Sequence, residues 1–127
     1  MTIGHIALYT VHLEQMRSYY ETYFSAESNQ KYHNSTTGLE TYFLSFGEGA
    51  KLELMTRPDL AKEDAPTPHT GWAHLAFHVG SRENVDCLTK RISIDGYTVF
   101  SMPRVTGDGY YASCVSDPDG NQLELVE

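Results

Sequence analysis

The chain lacks the raw material for a covalently stapled fold. Only two of its 127 residues are cysteine, Cys87 and Cys114, in unrelated contexts with no CxxC spacing. That excludes a disulfide framework and reads as two reduced thiols. Positive charge is also scarce: nine Lys and Arg face 17 Asp and Glu, a formal net charge of −8. Such a surface is repelled by phosphate backbones and anionic bilayers, so neither nucleic acid nor membrane is expected as a partner. No apolar run is long enough for a membrane span, and the N-terminal residues lack the regions of a signal peptide. A cytoplasmic location is the expectation. Low-complexity tracts are absent as well, and the length suits a single domain with a buried core.

What is present is an internal repeat. The run GWAHLAFHV at 71–79 echoes IGHIALYT at 3–10. Each stretch has strand character, with a Gly upstream of a His and alternating side chains after it. Each is followed by a helix-like segment, a Gly-containing turn and a closing strand with Glu between two Leu residues: KLELM at 51–55 and QLELV at 122–126. His5 precedes Glu53 by 48 positions and His74 precedes Glu124 by 50. The same two residue types at equivalent places in both halves mark a duplication with a period of about 70 residues.

Strand alternation sorts these side chains by face. His5 shares a face with Ala7 and Tyr9, and His74 with Ala76 and His78; Glu53 and Glu124 each stand opposite their flanking leucines. In all four strands the apolar face excludes the His or Glu. Helices are expected to cover the apolar face, leaving two His and two Glu on the more polar side.

The first half reads as strand, helix at 13–24, polar loop at 25–30, weak strand at 31–35, strand at 39–46, a Gly47-Glu48-Gly49 turn and the closing strand. Residues 56–70 hold three of the five prolines and read as an exposed linker. The second half repeats the order: helix at 82–95 with Val85, Leu88 and Ile92 on one stripe, Gly96 as its C-terminal stop, strand at 97–102, turn at 106–109, strand at 110–116, then the Asp117-Pro118-Asp119-Gly120 turn into the last strand. One domain over 1–127 is therefore expected, of fold class α+β, with two βαβββ modules at 3–56 and 72–127 joined by a linker at 57–71.

Two imidazoles and two carboxylates form a mixed nitrogen and oxygen donor set. It suits a borderline divalent ion (Zn²⁺, Ni²⁺, Co²⁺, Mn²⁺ or Fe²⁺) and leaves coordination positions for substrate. Any one of the four, taken singly, reads more simply as a structural His or a solvated Glu. The symmetric set favours metal, because clustered carboxylates facing a sheet interior are costly without a cation.

GHIALYT, KLELM, GWAHLAFHV and DPDGNQLELVE together resemble the vicinal oxygen chelate superfamily, which includes glyoxalase I, methylmalonyl-CoA epimerase, fosfomycin-resistance thiol transferases, extradiol dioxygenases and bleomycin-resistance proteins. The resemblance spans nearly the whole chain. It implies paired βαβββ modules forming a curved mixed-sheet cleft, with His5, Glu53, His74 and Glu124 as ligands of one divalent ion per site. The two-His, two-Glu set is similar to that of glyoxalase I, since epimerases usually carry Gln at the place of Glu53.

The resemblance further implies a lyase or isomerase acting on the hemithioacetal of a 2-oxoaldehyde and a low-molecular-weight thiol, with Glu124 as the base and Glu53 as its counterpart. A homodimer is implied too. Tyr9 and Arg57 stand where glutathione-using relatives often have Arg and Asn, which leaves the thiol open; Tyr9, Arg57, His78 and Arg104 are candidate substrate contacts. His12, His33 and His69 read as loop or surface residues. The alternatives are a metal-dependent thiol transferase or dioxygenase, in which one Glu is a bystander, and a drug-sequestering protein without a catalytic metal.

Overall fold

The structure, a computed structural model, describes residues 1–61, 70–107 and 109–127. His69, Asp108 and most of the proline-bearing segment lie outside the described residues. The chain divides into two compact units, residues 1–64 and 65–127. In the first, β1 (His5–Tyr9) leads into α1 (Leu13–Phe24), two short strands β2 (Glu27–Ser28) and β3 (Tyr32–His33), then β4 (Glu40–Ser45) and β5 (Lys51–Thr56). In the second, β6 (Leu75–His78) leads into α2 (Arg82–Ile94), β7 (Val99–Val105), β8 (Tyr111–Ser116) and β9 (Gln122–Val126). The fold is α+β, as expected.

The duplication extends to sheet order. The first unit's sheet runs β1-β5-β4-β2, with β3 also on β4, and the second runs β6-β9-β8-β7. In each, the opening strand pairs parallel with the closing strand and the others pair antiparallel. Among the described residues, strand pairing stays inside each unit, so there are two mixed sheets.

Alternation decides the faces. Leu52 and Leu54 are buried on β5 and Leu123 and Leu125 on β9, where α1 and α2 respectively pack. The interleaved Lys51, Glu53, Gln122 and Glu124 are more exposed.

In α1, whose spacing puts apolar or aromatic residues at 13, 16, 20, 23 and 24, Leu13, Met16 and Tyr20 are buried while Tyr23 and Phe24 are half-buried. Tyr19 is buried as well, with ring contacts to Tyr20, Tyr23 and Phe24. The helix ends without glycine: Ser25 adopts the left-handed conformation (φ 52°), and the Ala26 N–H donates back to the Tyr20 carbonyl (3.2 Å). In α2 the Ser81 hydroxyl caps the N-terminus by accepting from the Asn84 N–H (3.1 Å). Gly96, at φ 92°, closes the C-terminus, with Tyr97 N–H donating to Ile92 O and Gly96 N–H to Ser93 O. Val85 and Ile92 are buried as expected, but the third buried position is Thr89 rather than Leu88. The hydroxyl of Thr89 reaches both Val85 O and Ser113 Oγ at 2.6 Å, which satisfies it in the core.

Two strand expectations change. The second strand of the first unit, expected at 31–35, is broken into β2 and β3, taking two residues from the expected loop at 25–30, and both pieces pair with β4. At the break, Asn29 replaces the ladder: its N–H donates to Phe43 O (3.1 Å) and its Oδ1 accepts from Phe43 N–H (2.8 Å). In the second unit β7 runs to Val105, beyond the expected end at 102. It is an edge strand with register shifts, a setting that tolerates Pro103, which has no N–H to donate.

The turn before β9 is held by buried Asp117, whose Oδ1 accepts from the N–H groups of Asp119 (3.0 Å) and Asn121 (2.9 Å). Among the described residues, no helix is long and apolar enough to cross a membrane.

Candidate functional site

Each sheet presents one short row of side chains on its polar face. In the first unit Glu53 on β5 lies between Ala7 on β1 and Phe43 on β4. In the second Glu124 on β9 lies between Ala76 on β6 and Cys114 on β8, with Ser101 on β7 beyond. The repeat is exact to the residue here: the His lies two positions before the alanine in both units, hence on the same face. A methyl group beside each Glu leaves the His room to lean across.

The resulting pairs have similar geometry. His5 Nε2 is 3.7 Å from Glu53 Oε2, and His74 Nε2 is 3.4 Å from Glu124 Oε2. Both imidazoles are about half exposed, while Glu53 retains 15% side-chain exposure and Glu124 32%. Donors at these separations are compatible with one ion bound by each at roughly 2.1 Å. The donor types fit a borderline divalent cation, and the excess of carboxylates over cationic side chains in the chain favours binding one. Among the described residues no cluster of three or more His, Cys, Asp or Glu forms. Each unit holds one His–Glu pair of the four candidate ligands.

The other candidates are distributed around these pairs. Tyr9 ends β1 and is 55% exposed. Arg57, one residue past β5, is gripped at both ends by Asp59, with Nε–Oδ1 at 2.5 Å and a second nitrogen to Oδ2 at 2.8 Å. That bond, followed by one to the Tyr9 hydroxyl, raises the Arg57 pKa. His78 Nδ1 faces the Glu127 carbonyl oxygen at 3.1 Å. Arg104 on β7 donates to the Ser101 hydroxyl. His12 sits at the start of α1, where its backbone N–H donates to Thr10 Oγ1 (2.9 Å). His33 lies on β3, with Nδ1 3.3 Å from Glu40.

Two neighbours of the pairs escape a reading of motifs. Phe43 sets its ring perpendicular to His5, centroids 5.4 Å apart. The Cys114 thiol has its pKa raised by burial and then by the charge of Glu124, with Arg104 opposing. A signal for both exists: each lies ten positions before its Glu, which is the span of one hairpin.

The chain belongs to the Glyoxalase/Bleomycin resistance protein/Dioxygenase superfamily, whose family model matches residues 2–125. It is 27% identical to an uncharacterized protein, YqjT, from Bacillus subtilis (strain 168), over 96% of this chain and 95% of that one. Its fold is similar to that of a glyoxalase family protein from Enterococcus faecalis, at TM-score 0.79 and 24% identity over 98% of this chain and 96% of that one. Glyoxalase I from Zea mays is similar at TM-score 0.82 and 23% identity; the match covers 98% of this chain but only 44% of the maize chain.

Proposed function

We propose that this chain is a metal-dependent lyase or isomerase of the glyoxalase I type, converting a 2-oxoaldehyde–thiol hemithioacetal to a 2-hydroxyacyl thioester. The observation that supports this most is the doubled His–Glu pair, His5 with Glu53 and His74 with Glu124, at equivalent register in the two units. Together they supply two nitrogen and two oxygen donors for one Ni²⁺, Co²⁺ or Zn²⁺, with Mn²⁺ or Fe²⁺ as further options. Two copies of the chain associate in this reading, in the cytoplasm, and the four ligands are completed either within a chain or across the pair.

The bound ion supplies a Lewis acid for two adjacent substrate oxygens. His5 and His74 hold the ion. Glu124, the more exposed carboxylate of the two, takes the proton from the carbon bearing the hydroxyl and returns it to the neighbouring carbon. Glu53 stands as its counterpart on the other side. The transfer is internal, so no redox partner is consumed.

The engagement of Arg57 with Asp59 neutralises a charge that would otherwise attract the carboxylates of glutathione, which supports a different low-molecular-weight thiol. The deciding experiment purifies the chain without chelator, analyses it for metal, strips it, and restores divalent ions one at a time. Each form is then assayed with methylglyoxal and glutathione, and with other small thiols. Metal-dependent thioester formation with at least one thiol is the expected result. A chain that binds divalent ions but isomerises no hemithioacetal overturns the reaction; a chain that binds none overturns the whole reading.

A further inference from the structure

One difference between the two half-sites lies opposite the carboxylate. The residue opposite the carboxylate is Phe43 in the first unit and Cys114 in the second. The Phe43 ring stands at 85° to the His5 ring with centroids 5.4 Å apart, inside the separation at which perpendicular aromatic pairs attract. Its own place is fixed, because both backbone polar groups of Phe43 are tied to Asn29. The backbone on one side of the row is thus held by a side chain, where β2 and β3 leave the ladder open. Beside it, Glu53 has less than half the side-chain exposure of Glu124. The smaller thiol of Cys114 offers His74 no ring to stand against.

We infer that Phe43 is a positioning residue: it fixes the His5 ring and shields Glu53, making the first unit the rigid half of the site, while the smaller Cys114 leaves Glu124 free to move. This rests on the proposed metal-dependent reading and divides the labour within it. A ligand whose ring is held before the ion arrives loses less freedom on binding, and neighbours that orient a ligand commonly change affinity on the order of tenfold or more when removed. A carboxylate that must both face an ion and transfer a proton needs the opposite, room to shift. Cys114 supplies that room by its size.

Three variants test the inference: Phe43→Cys, Phe43→Tyr and Cys114→Phe. Divalent-ion affinity is measured by chelator competition on the stripped protein, and kcat and KM on the reloaded one. Phe43→Cys is expected to weaken ion binding about tenfold, and Phe43→Tyr, which keeps the ring, to restore it. Cys114→Phe is expected to keep the ion and KM while lowering kcat, because Glu124 is confined. The His5 ring proton shifts, read by NMR without metal, should move in Phe43→Cys and return toward wild type in Phe43→Tyr. Ion affinity of Phe43→Cys equal to wild type overturns the inference and leaves the proposed function standing. Unchanged kcat in Cys114→Phe overturns the freedom assigned to Glu124. Failure of the wild-type chain to bind any divalent ion removes both the function and the inference.

Discussion

His74 Nε2 stands 3.4 Å from Glu124 Oε2, with a third of the carboxylate side chain still open to solvent. A group so placed is near enough to share a cation and exposed enough to meet a substrate. Glu124→Gln keeps the shape and one oxygen donor but loses the basic site. The expected result is loss of turnover by at least about 100-fold, with most metal retained. Full activity in this variant would remove the role given to Glu124.

His5→Ala and His74→Ala each delete the nitrogen donor from one pair. Both are expected to lower divalent-ion affinity by more than Phe43→Cys does, since a proposed ligand and not its support is gone. The half-exposed positions of the two imidazoles argue against a large loss of fold stability. Metal titration alongside a thermal melt of the stripped protein separates the two effects.

Glu14 and Lys31 set a pH limit on the first unit. Lys31 Nζ lies 2.6 Å from Glu14 Oε1, and this hydrogen bond holds the Glu14 carboxyl below its ordinary value of 4.5. A lowered folded pKa means the pair stabilises above pH 4.5 and the contribution disappears as pH falls through the lower folded value. With Glu14 half exposed, screening limits this to about 0.5 kcal/mol. Glu14→Gln should therefore be slightly less stable than wild type at neutral pH and lose less stability on acidification, as measured by urea midpoints across pH. Parallel acid profiles for the two proteins would refute it.

Leu54 and Leu125 are each fully buried, one on either unit, and each follows a candidate ligand Glu directly in the chain. Truncating either to Ala leaves a cavity under a helix and should cost about 3 kcal/mol in denaturant unfolding. A cost below about 1 kcal/mol at either position would mean that the covering helix collapses onto the gap.

Asp59→Ala releases the Arg57 guanidinium from its bidentate partner while leaving the Tyr9 hydroxyl beside it. KM for an anionic thiol substrate such as the glutathione hemithioacetal is expected to fall, with kcat little changed. An unchanged KM would place Arg57 away from the substrate.

Much of this was readable in the chain itself. Alternation is a local property of a strand, so the faces of His5, Glu53, His74 and Glu124 followed from counting by two, and the buried leucines beside the carboxylates confirm them. The helix at 13–24 and the stop at Gly96 came from spacing and from glycine's tolerance of positive φ. The duplication was visible because the motif HxA and the motif LEL recur with nearly the same separation.

Other features depended on contacts between distant segments. Which residue stands opposite Glu53 is a matter of hairpin register, and register put Phe43 there and Cys114 opposite Glu124. The break between β2 and β3 arises because the Asn29 side chain competes for the Phe43 backbone, and Thr89 replaces Leu88 in the core because Ser113 waits across the interface to accept or donate. The sequence by itself determined the repeat, the faces and the four candidate donors, since these follow from periodicity along one segment. Tertiary structure alone decided the neighbours of those donors, because pairing register and side-chain competition are settled only when separate segments meet.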